Sequence, residues 1–346
     1  GWANYTYQLE NTVGPAIVYP YQSSNTFSDV PVGSYTIYVR DGNGCIVDKP
    51  ITIDPAETPA INLAASDFCF DDTDQASLTV DVANGVAPYS YSINGGGQNT
   101  FTGTSVTIPN LIPGTYDIQI TDAFGCVSNI LTQTIAPLLT ANAVVTKALD
   151  CTVSPDANID VNINNGYLPY ASYEVSTDAG ISWSLATPIV GTTFSYSAAT
   201  AGIYDFRITD ARGCTVITSA EVVPIVSPVI TSLLQTTEIL CNGDAGASIQ
   251  VNLDITQGVA PFVITVFYIT TATNYSAQTA GLPAGTYEVT VTDSKSCTDM
   301  ETIVISEPDL LSFETVLTDI TCDSAGSDPT NNTIPGSITV FNTAGG

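Results

Sequence analysis

Hydrophobic and polar residues alternate with period two along most of the chain. Asn158-Ile-Asp-Val-Asn-Ile163 puts Ile159, Val161 and Ile163 on one face and Asn158, Asp160 and Asn162 on the other. Tyr204, Phe206 and Ile208 alternate in the same way against Asp205, Arg207 and Thr209. This pattern predicts strands with one buried face, because successive side chains of an extended backbone point to opposite sides. Val, Ile, Thr and Tyr dominate the runs. Gly, Pro, Asn and Asp interrupt them every ~8–12 residues, the spacing of strands and turns in all-β sandwiches. No stretch joins a helical period to good caps.

The pattern itself repeats. Gly33-Ser-Tyr35 leading to Asp41-Gly-Asn-Gly-Cys45 returns as Gly114-Thr-Tyr116 leading to Asp122-Ala-Phe-Gly-Cys126. It recurs from Gly202 and Tyr204 to Asp210-Ala-Arg-Gly-Cys214, and from Gly285 and Tyr287 to Asp293-Ser-Lys-Ser-Cys297. The tyrosines are 81, 88 and 83 residues apart, and a second series, Cys69, Cys151, Cys241 and Cys322, steps by 82, 90 and 81. Gly85-Val-Ala-Pro88-Tyr89 likewise matches Gly166–Tyr170 and Gly258–Phe262. A tandem array follows. It comprises a partial repeat over 1–57 (strands C–G), repeats over 58–137, 138–226 and 227–308, and a partial repeat over 309–346 (strands A and B). About seven short strands per unit fit an all-β, antiparallel two-sheet sandwich of immunoglobulin-like type, the repeats forming an extended rod.

Lettering the strands A to G gives the special residues addresses. Cys69, Cys151, Cys241 and Cys322 end strand A, and Cys45, Cys126, Cys214 and Cys297 sit in the turn between F and G. Pro55, Pro137, Pro224 and Pro308 mark the junctions between repeats. Tyr35, Tyr116, Tyr204 and Tyr287 precede strand F, which fits a tyrosine corner whose hydroxyl bonds back to nearby backbone; a packed core aromatic fits equally well. The segment 309–346 corresponds to the strands that 1–57 lacks. The chain therefore reads either as a window of a longer array, or as a unit whose last two strands complete the first sandwich of the next copy. Gly1 is not followed by a basic-then-apolar leader, which puts any export signal outside this sequence or among removed segments.

Charge narrows the function. Among 346 residues, 34 Asp and Glu face 6 Lys and Arg, with no histidine, for a net charge of −28. So negative a surface repels phosphate backbones and anionic lipid heads, excluding nucleic acid and membrane surfaces as partners. At 44% hydrophobic and 12% charged residues, the chain has the composition of a folded protein. No apolar run approaches the ~20 residues that span a bilayer, so no membrane insertion is expected.

These motifs resemble the SprB repeat of very long cell-surface adhesins of gliding Bacteroidota. Cys241-Asn242-Gly243, Gly85–Tyr91, Leu111–Tyr116 and Asp122–Cys126 carry the resemblance, which runs in register over nearly the whole chain. Asn4 stands where the pattern has Pro, Ser296 where it has Gly, and Ala199-Thr-Ala-Gly202 replaces the Leu-led turn. The resemblance implies a secreted or outer-surface protein, exported by the type IX system and displayed as filaments. It brings a scaffold and no substrate site.

Eight cysteines in a histidine-free chain without Cys-x-x-Cys read as disulfides and not as a zinc site. Three connectivities are open, pairing between neighbouring repeats being preferred and pairing within a repeat the runner-up. If strands of eight to ten residues put the A–B loop and F–G turn ~30 Å apart within one sandwich, sulfurs cannot bridge them. End-to-end stacking would instead pair Cys69 with Cys214 and Cys151 with Cys297. Cys45, Cys126, Cys241 and Cys322 would then pair with chain or copies beyond this sequence. A short or displaced strand A permits pairing within repeats, and sequential pairing such as Cys126–Cys151 is the third choice. Staples between repeats would stop them from hinging.

Asp71, Asp72 and Asp74 share one A–B loop; Asp150, Asp156, Asp244, Asp323 and Asp328 occupy the equivalent loops, and Asp41, Asp122, Asp210 and Asp293 precede the F–G turns. Converging acids suit Ca²⁺, with Asp71, Asp72 and Asp74 the candidates, whereas single Asp residues in turns cap backbone N–H groups; capping is preferred, and no cofactor is expected. Catalysis is not expected. The acids are spread over turns, and nucleophiles lack a histidine and have only Lys49, Lys147 and Lys295 to draw on. Two function classes remain: the shaft of an adhesive filament, or a module whose loops grip surface polysaccharide or protein. The loops of the third repeat, Tyr167–Tyr173 and Ile181–Trp183, are the candidates for binding; Trp2 and Trp183 otherwise read as core.

Overall fold

Every regular element in the computed structural model of the chain is a β-strand; it describes residues 3–14, 18–71, 73–319, 321–322, 333–334 and 336–346. Residues 1–57 form β1 (Thr6–Asn11), β2 (Val18–Gln22), β3 (Gly33–Arg40) and β4 (Ile46–Ile53), one antiparallel sheet in the order β2-β1-β3-β4. The second repeat contributes β5 (Ala60–Leu63), β6 (Ala76–Ala83), β7 (Tyr89–Ile93), β8 (Asn99–Phe101), β9 (Ser105–Leu111), β10 (Gly114–Thr121) and β11 (Leu131–Ile135). They make a three-stranded sheet β5-β6-β9 and a four-stranded sheet β11-β10-β7-β8.

The third repeat has the same plan: β12 (Thr140–Lys147), β13 (Ala157–Asn164), β14 (Ser172–Ser176), β15 (Thr187–Pro188), β16 (Thr193–Ala198), β17 (Gly202–Thr209) and β18 (Thr215–Val222), in sheets β12-β13-β16 and β15-β14-β17-β18. The fourth has it again: β19 (Ile230–Thr237), β20 (Ala247–Leu253), β21 (Val263–Tyr268), β22 (Thr273–Ser276), β23 (Ala280–Leu282), β24 (Gly285–Thr292) and β25 (Thr298–Ile305), in sheets β19-β20-β23 and β22-β21-β24-β25. Each repeat thus joins an A-B-E sheet to a C′-C-F-G sheet, an immunoglobulin-like sandwich. Last come β26 (Ser312–Thr318), β27 (Thr321–Cys322), β28 (Thr333–Ile334) and β29 (Ser337–Ala344), with β26 paired to β29 and β27 to β28.

Alternation sets what is buried. Ala76, Leu78, Val80 and Val82 on β6 point inward and meet Ile118 and Ile120 of β10, while Thr79 and Asp81 point out. Burying each of these branched side chains stabilises the fold by about 1.5–3 kcal/mol. β13 has the same burial pattern, and in that repeat aromatics join the two sheets: Phe194 of β16, beside β13, stacks on Tyr173 of β14 at 3.9 Å and meets Phe206 of β17 edge-on at 5.9 Å. By internal contacts the chain divides into two compact units. One is Gly1–Thr140 with Asn165–Leu168 and Asp210–Cys214; the other is Ala141–Asn164, Pro169–Thr209 and Thr215–Gly346.

The repeated tyrosine is the third residue of its strand and not the residue before it, since the strands open at the glycine. Its hydroxyl donates to the carbonyl four residues back in every repeat: Tyr35 to Pro31, Tyr116 to Ile112, Tyr204 to Thr200 and Tyr287 to Pro283, each at 2.8 Å. Burial, reinforced by the phenols of Tyr275 and Tyr268, pushes the Tyr287 hydroxyl well above its ordinary pKa, so it stays a donor at any working pH. Tyr287→Phe is expected to lower stability by about 1 kcal/mol, the usual worth of such a bond, read as a shifted urea midpoint at unchanged slope.

Candidate functional site

The turns and loops at one pole of each sandwich are built alike, and their centre is the Asp that follows strand F. Asp210 is 2% exposed. Its Oδ1 accepts the N–H groups of Arg212 at 2.8 Å and Cys214 at 3.0 Å, and its Oδ2 accepts that of Tyr167 at 2.9 Å. Asp122 does the same for Phe124, Cys126 and Val86, and Asp293 for Lys295, Cys297 and Val259. One carboxylate therefore folds the F–G turn and ties it to the B–C loop. Burial alone would raise the Asp122 carboxyl, but the N–H groups of Cys126, Val86, Phe124 and Gly125 outweigh it and hold it below the ordinary carboxylate range.

The residue before each F–G cysteine must turn left-handed. Gly125 (φ 83°) and Gly213 (φ 88°) do so at little cost, and Ser296 adopts the same conformation (φ 64°) despite its Cβ. The departure from Gly at this position leaves the turn geometry intact.

The strand-A cysteines lie further along than the sequence pattern placed them. β5 ends at Leu63, β12 at Lys147 and β19 at Thr237, so Cys69, Cys151 and Cys241 belong to the A–B connections, beyond the last ladder bond. That displacement frees them to leave their own sandwich. Cys69 is bonded to Cys214, with S–S 2.22 Å and Cα–Cα 5.2 Å; Cys151 is bonded to Cys297, with S–S 2.06 Å and Cα–Cα 4.9 Å. In both cases the A–B connection of one repeat meets the F–G turn of the next, 145 and 146 residues away. Cys45 and Cys241 are exposed and Cys126 partly so, all three without a disulfide. The side chain of Cys322 lies outside the described residues, as do Trp2, Asp72, Asp323 and Asp328.

Noncovalent contacts surround the first disulfide. The Tyr167 hydroxyl accepts the Ala136 N–H at 2.9 Å and donates toward the carbonyls of Thr134 (3.0 Å) and Phe68 (3.3 Å). Its ring meets Phe68 edge-on at 5.9 Å, and the Arg212 guanidinium lies over Phe68 at 4.0 Å. A cation over an aromatic face contributes about 0.5–2 kcal/mol. Tyr167, in the Tyr167–Tyr173 loop that the sequence offers as a candidate for binding, is thus tied into the joint. Around the second disulfide, the Cys151 N–H donates to the Lys295 carbonyl at 2.9 Å. Gly258 lets the B–C loop touch the linker, since a Cβ there would lie 2.9 Å from Pro228 Cα. At the pole of the second repeat the corresponding place is an open cleft of about 480 Å³, lined by Gly85, Val86, Asp122 and Phe124 together with the linker 54–57.

The loop acids are turn caps. Asp71 accepts the N–H groups of Thr73 and Asp74 and the Thr73 hydroxyl, which lower its pKa. The Thr152 hydroxyl and then Lys147, whose ammonium lies at 2.9 Å, bring Asp150 down to about 2. Asp156 accepts the Ser197 hydroxyl at 3.0 Å. Among the described residues, no three Cys, Asp or Glu side chains converge as metal ligands. In the third repeat, Arg207 pairs with Glu174 at 2.6 Å and covers the half-buried Trp183 ring at 4.5 Å.

No protein-family model and no curated protein matches the chain. Among solved structures it is similar to the three N-terminal domains of the bacteriophage RB49 Highly Immunogenic Outer Capsid protein (9% identity, 72% of this chain and 99% of that one, TM-score 0.38). It is also similar to titin domains I67–I69 in an E-to-A variant (11%, 72% and 99%, TM-score 0.32). A third likeness is a tetra-tandem repeat from the extending region of a large adhesion protein (13%, 87% and 91%, TM-score 0.26).

Proposed function

We propose that the chain is a structural shaft segment of a cell-surface adhesin filament, secreted and displayed outside a bacterial cell for adhesion or gliding, with export by the type IX route that its SprB-like motifs imply. The observation that carries this reading is the pair of disulfides running from the A–B connections of the second and third repeats to the F–G turns of the third and fourth. They create two covalent routes side by side, 82 residues from Cys69 to Cys151 and 83 from Cys214 to Cys297. Routes of such equal length share tension, which suits a part that transmits force. Disulfides also persist in oxidising surroundings, which supports an extracellular place.

Single-molecule extension of the oxidised protein tests the reading. The 145 residues that either route hides are expected to add about 500 Å of contour only after reduction, at ~3.6 Å per residue. Equal contour lengths before and after reduction would remove the proposal. A second reading, a loop-mediated binding module for protein or polysaccharide, rests on one observation. Ile181, Leu185 and Val190 of the third repeat are each 86% exposed or more. Binding lost in Ile181→Ser and Leu185→Ser variants would favour it over the shaft.

A further inference from the structure

We propose that the joint between the third and fourth repeats binds a free one-ring aromatic acid, with its ring in the cleft beside Val259 and its carboxylate on Lys295. The inference goes beyond the shaft reading and stands apart from it, since a stapled joint transmits tension with this cleft full or empty.

The joint between the second and third repeats shows what this place holds when it is filled. There the Tyr167 hydroxyl accepts the Ala136 N–H, Phe68 meets the Tyr167 ring edge-on and Arg212 covers Phe68. The space left over is about 10 Å³. Gly166 and Gly258, Pro137 and Pro224, Cys214 and Cys297, and Cys69 and Cys151 align the two joints. Val259 then stands for Tyr167, Val223 for Ala136, Lys295 for Arg212 and Asp150 for Phe68. The backbone agrees: Asp293 holds the Val259 N–H as Asp210 holds that of Tyr167. Both rings are lost, and a valine does not reach where a phenol does. A cleft of about 290 Å³ remains, walled by Leu149, Val223, Ile225, Val226 and Val259. Ala136 is 9% exposed, whereas Val223 is 64% exposed. The Val223 N–H meets no acceptor among the described residues, although its counterpart bonds the Tyr167 hydroxyl. A phenol ring from outside fills this wall and gives that N–H its oxygen. The volume lies at the low end of ligand cavities, so one ring with a short substituent fits and little more.

Charge selects the substituent. The chain carries 34 Asp and Glu, yet among the described residues no carboxylate lines this cleft. The cleft beside the linker 54–57 has Asp54, Glu57 and Asp122, and the one beside 306–308 has Glu238 and Glu307. Here the charged lining residue is Lys295, itself partly buried. The ion pairs among the described residues are Lys147–Asp150 and Arg207–Glu174, which leaves the Lys295 ammonium without a carboxylate partner. A cation beside an apolar wall attracts an anion more strongly than one in open water, because the wall lowers the local dielectric. The same lysine repels an amine, so an aromatic acid is favoured over an aromatic base.

The test is ligand-observed NMR titration of the oxidised full chain with 4-hydroxyphenylacetate. Saturable binding with a Kd of ~0.1–1 mM is expected, an ordinary value for a one-ring ligand. Tyramine, which carries an ammonium in place of the carboxylate, is expected to bind ~5-fold more weakly. Val259→Tyr supplies the ring from the chain itself, and the third repeat already folds with Tyr at this position. It is expected to weaken probe binding by ~10-fold or more, since two rings cannot share the space. Lys295→Gln is expected to weaken binding of 4-hydroxyphenylacetate by ~5-fold and to leave binding of phenol unchanged. Absence of saturable binding overturns the proposal, as does binding unaltered in Val259→Tyr. Tyramine bound as tightly as the acid removes the role of Lys295. Tighter binding of a peptide ending in tyrosine than of the free acid would make the ligand a partner's chain end and overturn its assignment to a small molecule.

Discussion

Asp210→Ala is expected to destabilise the protein by about 3–5 kcal/mol, more than any other single substitution of a polar residue in the third repeat. The carboxylate serves three N–H groups from two loops, those of Arg212, Cys214 and Tyr167, and is 2% exposed. Leaving a buried N–H without an acceptor costs ~1–3 kcal/mol, and some of the three would find water as the turn relaxes. Asp210→Asn keeps one acceptor oxygen but turns an NH₂ toward a donor, so about half the loss is expected. Trp183, in the same repeat, supplies the fluorescence signal for urea unfolding of both variants. Acid should act in the same direction. Asp122, Asp71, Asp150 and Asp178 all titrate below the ordinary carboxylate value, the last two at about 2. A carboxyl whose pKa is lowered on folding stabilises above its unfolded pKa of ~3.9 and loses that contribution as pH falls toward the folded one. Stability is therefore expected to be level from pH 7 to about 5 and to drop between about 4 and 2.

Breaking the Cys69–Cys214 bond by Cys69→Ser with Cys214→Ser carries the second large effect, about 2–5 kcal/mol. A cross-link closing a loop of 145 residues removes unfolded-state entropy worth close to 5 kcal/mol in the chain-entropy account, with native-state relaxation reducing what is measured. The loss should be local in its first appearance. Each sandwich keeps its own core, such as Leu78 and Val80 against Ile118 and Ile120, so strand amides of β6 and β10 should remain protected from hydrogen exchange. The Gly166 N–H, bonded to the Pro137 carbonyl, and the Ala136 N–H, bonded to the Tyr167 hydroxyl, should exchange faster. Loss of protection across β6 and β10 at the same rate would mean that the bond holds the sandwich itself and not the joint.

Some of the joint was legible in advance and some was not, for identifiable reasons. The Asp-x-x-x-Cys spacing signals a turn cap, because Oδ1 reaches N–H groups two and four residues on. The second oxygen of the same Asp goes to Val86, Tyr167 or Val259, which lie 34 to 43 residues away in the chain. No turn rule reaches so far. Tyr167 and Arg212 were missed as joint residues. Their signal is that the other repeats have Val86 and Val259, or Phe124 and Lys295, at the same positions. The pattern puts Cys69 at the end of strand A, but the regular ladder stops six residues earlier at Leu63; beyond it 64–68 hold to β6 only irregularly, through the Ala64 N–H to the Thr79 carbonyl, the Thr79 N–H to the Ser66 hydroxyl and an isolated bridge between Asp67 and Ser77.

The period of the array, the strand faces and the F–G turns that hold one series of cysteines were determined by the amino-acid order alone. They arise from side-chain alternation along an extended chain and from turn chemistry within a few residues, both local effects. Only the tertiary structure decided among the three cysteine connectivities, and where the second carboxylate oxygen goes. Those depend on how finished sandwiches approach one another, a matter of shape and distance between surfaces that no short stretch of sequence contains.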